Sequence, residues 1–528
     1  MLLVALGALV AASVPLVLAL TSVLATIAIV AIPSQIFPLG GNTDALILLI
    51  GLAVGVDYAL FYMRREREER AAGRSTRESL EVAALTSGRA VMISGFTVAI
   101  AMAGMFITGD ATFISFAVAT VTVVLVAMIA TLAVLPALLA WLGDRVEKGR
   151  IPFTRQRPPA GESRFWAAIV DRVMRRPVVA IVLAGGLLLA LAIPGLGMNV
   201  VQTGTDDLPR DLPTIQTYER YKDAFPSEAN AVAVVVEADD VTGGAVGAGI
   251  DELVGRAEAS PTLLDGTDVR VSEDGTVAAV EIPTAGTGTD DQSMRALDEV
   301  RDELVPATVG GVAGATVSVT GSAAQSSDFS DLLASRMPLV FAFVLGLAFV
   351  LMLVTFRSVV IPLKAIVLNL LSVGAAYGIL VLVFQEGWGE ELLGFESNGG
   401  VTNWLPLFLF VILFGLSMDY HVFILTRIRE AYDRGMSTEQ AIRSGIAGSA
   451  GTVTAAAVVM VLVLSVFATL SLIDFKQMGV GLAAAILIDA TIIRGVLLPA
   501  SMKLLGDWNW WLPGSLEWLP RIRHEATA

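Results

Sequence analysis

The sequence predicts a polytopic α-helical membrane protein built from two pseudo-symmetric helical repeats, with one α/β domain outside the membrane. Three observations predict this fold class. Of the 528 residues, 55% are hydrophobic and 16% are charged, with a mean hydropathy of +0.73, whereas soluble domains average about 25% charged residues. An acidic, polar block interrupts the apolar chain, and two distant segments of the sequence align with each other.

Ten stretches are apolar and long enough to cross a bilayer, which takes about 20 helical residues. They lie at roughly 7–35, 44–63, 90–108, 112–142, 178–198, 338–356, 359–385, 405–425, 447–472 and 477–502. Segment 64–89 has seven arginines and 143–177 has nine basic residues, whereas 36–43 and 386–404 have none. Because basic loops tend to stay in the cytoplasm, we expect both termini to be cytoplasmic and residues 199–337 to be extracytoplasmic.

The block from 197 to 335 contains 25 acidic and 7 basic residues. Its alternating apolar runs and helix-compatible stretches follow the order β-α-β-β-α-β, which is typical of the ferredoxin-like fold. Strands are expected at 231–238, 268–283 (a hairpin) and 315–321, and helices at 244–258 and 291–305. Phosphate binding needs a basic surface, so a nucleic-acid partner is disfavoured.

The internal repeat is the most informative pattern. The segment from Gly55 to Thr76 aligns without a gap with the segment that ends at Thr438, at an offset of 362 residues. Such tandem halves are a recurrent plan of membrane transporters. The predicted division is a first-repeat bundle of four spans (1–142), a cytoplasmic linker (143–177), the entry span of the second repeat (178–198), the α/β domain (199–337), a second-repeat bundle of five spans (338–505) and a cytoplasmic tail (506–528).

The two halves are unequal. The four spans of the first half correspond to the last four of the second, so the first half lacks an entry span, an outer domain and one further span. We therefore expect upstream in-frame sequence to encode a span, a second outer α/β domain and another span.

The candidate chemistry lies at two aspartates within the apolar spans. An ionised group at mid-membrane costs roughly 2.5–3.5 kcal/mol on insertion scales and needs a reason to persist. Asp57 and Asp419 occupy the same position in the two repeats, and a tyrosine follows each one, Tyr58 and Tyr420. If the two helices meet at the bundle centre, each aspartate lies near the other repeat's tyrosine. We predict a proton relay made of these four residues; a static polar clasp between the helices is the alternative.

Asp489 and Arg494 are further charges within the last span. They are five residues apart, whereas side chains three or four apart are neighbours on an α-helix. We therefore expect a structural ion pair of each with other helices rather than direct proton transfer. His421 is expected at the periphery of the bundle, and Lys364 is expected to extend toward the membrane interface.

The residue inventory argues against an enzyme. The chain has no cysteine, and its two histidines are His421 and His524. There is no His/Glu zinc motif and no convincing serine nucleophile with a base. We therefore expect no enzymatic activity, no cofactor and no metal.

Four motifs carry a family resemblance: GLAVGVDYALF (51–61), FGLSMDYHVFILTRIREAYDRG (414–435), GVGLAAAILIDATIIRGVLLPA (479–500) and GDWNWWLP (506–513). With these, the chain resembles the MmpL-type transporters of the RND (resistance–nodulation–division) superfamily, which have twelve spans and two extracytoplasmic domains. The resemblance implies export of lipids or other hydrophobic compounds across the plasma membrane, driven by the proton-motive force. It also implies that the two Asp–Tyr pairs are the proton relay.

The partners that this resemblance implies are protons, membrane lipids and a lipid or hydrophobic small molecule, while a homo-oligomer or accessory proteins stay open. A sterol- or lipid-sensing receptor on a related bundle is the alternative function. Such a receptor needs no proton relay in both repeats, so the duplicated Asp–Tyr pair favours transport.

Overall fold

The computed structural model describes residues 8–520 apart from 38, 41–42, 149–163, 205–206, 209, 211, 226–229 and 287. The side chains of Asp144, Glu147, Arg164, Asp223, Asp419 and Thr452 also lie outside the described part. Most of the predicted cytoplasmic linker, and the end of the predicted tail, therefore fall outside the described residues.

The chain folds mainly into helices. In chain order they are α1 (Leu9–Val30), α2 (Thr43–Ala71), α3 (Thr76–Ala83), α4 (Arg89–Ala103), α5 (Ala111–Ile129), α6 (Leu135–Leu142), α7 (Arg164–Arg175), α8 (Pro177–Ala192), α9 (Pro213–Ala224), α10 (Gly244–Glu258), α11 (Asp291–Asp298), α12 (Ser322–Phe356), α13 (Val360–Leu380), α14 (Leu405–Asp433), α15 (Thr438–Phe467), α16 (Ile473–Ile488) and α17 (Leu498–Leu505). Three π-helical segments make continuous rods: Ala84–Gly88 joins α3 to α4, Ala130–Val134 joins α5 to α6, and Asp489–Leu497 joins α16 to α17.

The membrane bundle agrees with the predicted spans. Within the described residues, nine helical rods are long and apolar enough to cross a bilayer, and α15, which is bent by 44°, makes a tenth if it is counted as one span. Two helices are enclosed on nearly all sides: 83% of the most apolar stretch of α2 and 82% of that of α14 are buried, against 6% for α8. The centre of the bundle is therefore built around α2 and α14, and α8 lies at its edge.

The repeat is visible in local geometry as well as in sequence. After α2 and after α14 the chain turns at a left-handed glycine, Gly73 with φ 92° and Gly435 with φ 90°. Each turn leads into a capping box: Ser75 accepts a hydrogen bond from the backbone N–H of Glu78, and Ser437 from that of Gln440. The glycine that ends each helix and the capping box that begins the next one are both local sequence signals. The two halves therefore form the same helix–turn–helix unit.

The α/β domain has the predicted β-α-β-β-α-β order. Its strands are β2 (Ala231–Glu237), β3 (Asp268–Val271), β4 (Val277–Pro283) and β5 (Thr316–Gly321), in the antiparallel order β3-β4-β2-β5. Alternate residues of β2 point into the core, where Val232, Val234 and Val236 are fully buried. At the β3–β4 turn, hydrogen bonds from the Ser272 and Thr276 hydroxyls lower the pKa of Asp274.

A small junction connects this domain to the bundle. Strand β1 (Val200–Val201), which follows α8, pairs in parallel with β6 (Val401–Thr402), which precedes α14. Asp474 in the first turn of α16 accepts hydrogen bonds from the Thr203 hydroxyl at 3.1 Å and from the Thr402 hydroxyl at 2.9 Å. We call Thr203, Thr402 and Asp474 the junction cluster. It ties the start of α16 to the segment that enters the α/β domain.

Candidate proton-transfer site

Close helix packing places the predicted site away from lipid. A Cβ atom at Gly55 would lie 3.2 Å from the backbone of Ala19, so α2 packs tightly against α1 at this point. Two residues further along α2, Asp57 is 6% exposed and Tyr58 is 2% exposed. Tyr420 on α14 is 2% exposed. An ionisable carboxyl group thus lies inside protein, where residues of this kind mark proton or ion pathways in membrane proteins.

The two repeats touch each other at equivalent residues. Phe61 on α2 and Phe423 on α14, which the sequence alignment pairs, have ring centroids 5.2 Å apart, and Phe61 lies 5.8 Å from Tyr420. A contact between equivalent residues means that the axis relating the repeats passes between them. α2 and α14 therefore meet at the centre of the bundle through their side chains.

The aspartate of the first repeat meets the tyrosine of the second. The Tyr420 hydroxyl lies within interaction range of the Asp57 carboxyl group, and it donates a hydrogen bond to the sulfur of Met460 at 2.9 Å. Among the described residues, Asp57 Oδ1 has no hydrogen-bond partner. The carboxyl group thus lies against the tyrosine of the second repeat and has one buried oxygen, Oδ1, that can still accept or carry a proton.

Only Tyr58 of the reciprocal pair, Asp419 and Tyr58, has a side chain in the described part of the structure. The Ser94 hydroxyl on α4 lies 3.3 Å from the Tyr58 hydroxyl, to which it donates. Asp419 lies on α14, one residue before Tyr420, but its side chain is outside the part that the structure describes. The predicted approach of Asp419 to Tyr58 therefore stays a prediction.

Asp489 and Arg494 form a buried ion pair with each other, at 4% and 3% exposure. The expectation that each would pair instead with other helices is wrong, because the segment from Asp489 to Leu497 is π-helical. In a π-helix the backbone hydrogen bonds join residues five apart rather than four, and the wider turn brings side chains five apart toward the same side.

A second helix braces this charge pair. The Ser417 hydroxyl on α14 donates to Asp489 Oδ2 at 2.7 Å, and Arg494 Nη2 donates to the Ser417 carbonyl at 3.3 Å. The Arg494 guanidinium also lies over the Tyr420 ring, 4.4 Å from its centroid, in cation–π geometry. Tyr420 therefore contacts Asp57 with its hydroxyl and Arg494 with its ring, and links the aspartate to the charge pair.

A small cavity adjoins this network. Its volume is about 10 Å³, and its polar lining includes Asn369, Ser417, Tyr420 and Asp489. This is close to the space that one water needs. Two atoms of its lining residues, Asn369 Nδ2 and Asp489 Oδ1, have no partner among the described residues. Sequence reasoning missed Ser417 and Asn369, although Ser417 lies in an apolar helix two residues before Asp419, which was a usable signal.

One other side chain, His421, differs from expectation. His421 is fully buried rather than peripheral, with Nδ1 3.3 Å from the Ser417 carbonyl, because α14 is surrounded by other helices and has no lipid-facing side at this level. Lys364 is half-buried and its ammonium donates to Asn509 Oδ1 at 3.0 Å, in the segment that follows the last span; its approach to the membrane interface stays a prediction. Within the described part of the chain, no group of three His, Asp or Glu residues is arranged to hold a metal.

A bundle of apolar helices built from two repeats that meet at equivalent residues defines a polytopic membrane protein. The chain belongs to the MMPL family, whose model matches residues 1–180 and 206–525. The mycolic acid-containing lipids exporter MmpL11 of Mycolicibacterium smegmatis is 36% identical over 98% of this chain and 54% of its own length. The heme uptake protein MmpL11 of Mycobacterium tuberculosis H37Rv is 34% identical over 98% of this chain and 53% of its own length.

The chain thus spans about half the length of these curated relatives, which are named for transport and not for catalysis. Among solved structures, the translocon-associated membrane protein SecDF of Thermus thermophilus aligns with a TM-score of 0.54 at 16% identity, covering 92% of this chain and 58% of SecDF. At that identity the likeness shows the fold alone.

Proposed function

We propose that this chain forms the membrane bundle and one outer domain of a transporter that exports lipids or other hydrophobic compounds, driven by the proton-motive force. Asp57, Tyr58, Asp419 and Tyr420 are its proton relay. The observation that carries this proposal is the buried contact between Asp57 of the first repeat and Tyr420 of the second. A carboxyl group at the repeat interface can change helix packing when it gains or loses a proton.

The network suggests how protonation is coupled to movement. Ionised Asp57 accepts from Tyr420 and attracts Arg494, which stacks on the same tyrosine. Protonation removes the negative charge and weakens both interactions, so Arg494 is then held by Asp489 and Ser417. The contacts that hold α2 against α14, and α14 against the π-helical segment, are therefore redistributed. Such a local charge change can select between two helix packings.

The proposed orientation puts both termini in the cytoplasm of a plasma-membrane protein and residues 199–337 outside. The basic residues that follow α2 and α14 support it, because arginines near span ends favour the cytoplasmic side. The α/β domain leaves and rejoins the bundle at the opposite helix ends, where 386–404 contains no lysine or arginine.

The outer domain is proposed to handle apolar cargo. Tyr221 on helix α9 and Phe225, the residue after its end, are exposed, and their ring centroids lie 5.3 Å apart. The domain that carries them is strongly acidic overall. The lipid named for the first relative supports a lipid as cargo, whereas the name of the second favours haem as the alternative. Photocrosslinkable lipid and haem analogues, compared in membranes, should separate the two. Labelling of residues 199–337 by the lipid probe is the expected result.

Proton coupling is tested with Asp57→Asn, which keeps the shape of the side chain and removes its ability to ionise. Asp44→Asn is the matched control, since Asp44 lies on the same helix but is exposed in its first turn. In proteoliposomes with an imposed pH gradient, Asp57→Asn and Asp419→Asn should abolish proton-driven lipid transport, and Asp44→Asn should leave it intact. The double variant Asp57→Asn/Asp419→Asn should be little worse than either single one.

Transport that persisted in the double variant would remove the relay and leave a static clasp. A lipid-sensing receptor would behave differently again: it would bind the lipid probe in the wild type and carry no proton flux in any variant.

A further inference from the structure

The helix before the second repeat, α7, has one buried face and one exposed face. Its apolar side packs into the bundle, where Ala167, Val170, Val173 and Met174 are buried. The ring of Trp166 lies against Gly495 of the π-helical segment, so closely that a Cβ there would be 2.5 Å from it. This packing fixes which face of α7 is turned outward.

The outward face carries basic residues at its end. Arg172, Arg175 and Arg176 are exposed. Arg172 and Arg175 are three residues apart and therefore neighbours on the helix, and Arg176 directly follows its last residue. The acidic residue of this helix, Asp171, forms an ion pair with Arg443 of α15, with 2.8 Å between Asp171 Oδ1 and Arg443 Nε. Within the described part of the chain, none of the three arginines has an ion pair. They form an uncompensated positive patch, which we call the elbow arginines.

The elbow arginines lie at the boundary between a polar surface and lipid. The chain bends at Arg176, with φ −137° and ψ 63°, because the proline that follows disfavours helical backbone there. It then enters α8, whose side chains Val178, Val182 and Leu183 are exposed at the edge of the bundle. A phosphate at the bend would therefore have apolar helix surface directly beside it for acyl chains.

We propose that Arg172, Arg175 and Arg176 bind the headgroup phosphate of an anionic phospholipid, whose acyl chains lie along α8. Guanidinium groups pair with phosphate through several hydrogen bonds, and basic clusters on amphipathic helices bind anionic lipid headgroups. The site is independent of the proton relay and of which side of the membrane it faces, so its test does not depend on the proposed function.

The test uses the full chain, purified in detergent and titrated with spin-labelled phosphatidylglycerol or phosphatidylcholine. Arg172→Gln/Arg175→Gln/Arg176→Gln should weaken phosphatidylglycerol binding by about a hundredfold, since each of the three basic side chains near an anionic lipid surface contributes roughly fivefold. Phosphatidylcholine binding should not change. Arg172→Lys/Arg175→Lys/Arg176→Lys, which keeps the positive charge, should retain most of the phosphatidylglycerol binding.

The control is Arg74→Gln/Arg77→Gln/Arg434→Gln, which removes the same charge from arginines that are ion-paired with Glu69, Glu81 and Glu430. If the control lost as much binding as the elbow variant, the lipid binding would be due to general charge attraction and not to a specific site at the elbow arginines. Unchanged binding in the elbow variant would overturn the proposal outright. Displacement of the lipid by millimolar glycerol phosphate would reassign the arginines to a soluble phosphate.

Discussion

Replacing Asp489 with asparagine would remove the carboxylate that neutralises Arg494 while leaving the arginine in place. Arg494 is 3% exposed, and its Nε and Nη1 have no partner among the described residues. Its remaining contacts would be the Ser417 carbonyl and the face of Tyr420. Removing one member of a buried pair typically costs about 3–5 kcal/mol, because the other charge is left uncompensated. We expect a loss of that size for Asp489→Asn and for Arg494→Gln.

The double variant Asp489→Asn/Arg494→Gln should lose less stability than the sum of the two single losses, with a coupling of roughly 2–3 kcal/mol. The measurement is unfolding in dodecyl maltoside micelles with increasing SDS, followed by circular dichroism. Arg77→Gln is the control: it breaks an exposed pair with Glu81, at 89% and 61% exposure, and should have an effect within about 1 kcal/mol. If the losses of the two single variants simply added in the double variant, the two side chains would not be stabilising each other.

Two further predictions concern packing and capping. Gly378→Ala should loosen the packing of α8, at a cost of about 1–3 kcal/mol, because the new Cβ would collide with the Leu191 carbonyl. A disulfide engineered with Ala192→Cys and Gly374→Cys should then form in lower yield. Gly346→Ala, whose new Cβ would have open space, is the control. Ser75→Ala and Ser437→Ala should each cost about 1 kcal/mol, because each removes the same capping box. Hydrogen exchange in the first turns of α3 and α15 should rise equally in the two variants, and unequal rises would contradict the shared geometry.

Much of the architecture follows from the sequence because its causes are local or periodic. The spans are recognisable since a bilayer demands about 20 apolar residues, and the strands of the α/β domain are recognisable from alternation, as in Val232, Val234 and Val236. The order of strands could be predicted because the split β-α-β arrangement has few alternatives. The repeat predicts that Asp57 lies near Tyr420, since two equivalent helices that meet at a bundle centre bring the aspartate of one repeat close to the tyrosine of the other.

What could not be predicted depends on helix geometry and on surroundings. The pairing of Asp489 with Arg494 requires a π-helical segment, and an α-helical projection separates these residues. The sequence predicts His421 at the periphery, because helical spacing shows that it points away from Asp419 but not which other helices cover that side. The junction cluster joins Thr203, Thr402 and Asp474 across hundreds of residues, and none of them stands out in the sequence.

The junction cluster also determines how the molecule can be divided into exchangeable parts. Helix α5, the counterpart of α16 in the first repeat, begins with Asp110, which caps its own helix by accepting from the N–H of Thr112 at 2.8 Å. Helix α16 begins at Ile473, after Leu472, whose side chain makes no capping hydrogen bond, and its Asp474 bonds instead to the segment that leads into the α/β domain. A chimera that transplanted this domain by its chain boundaries alone would leave Asp474 behind. The smallest unit that can be grafted between such proteins is therefore the domain together with β6 and the first turn of α16.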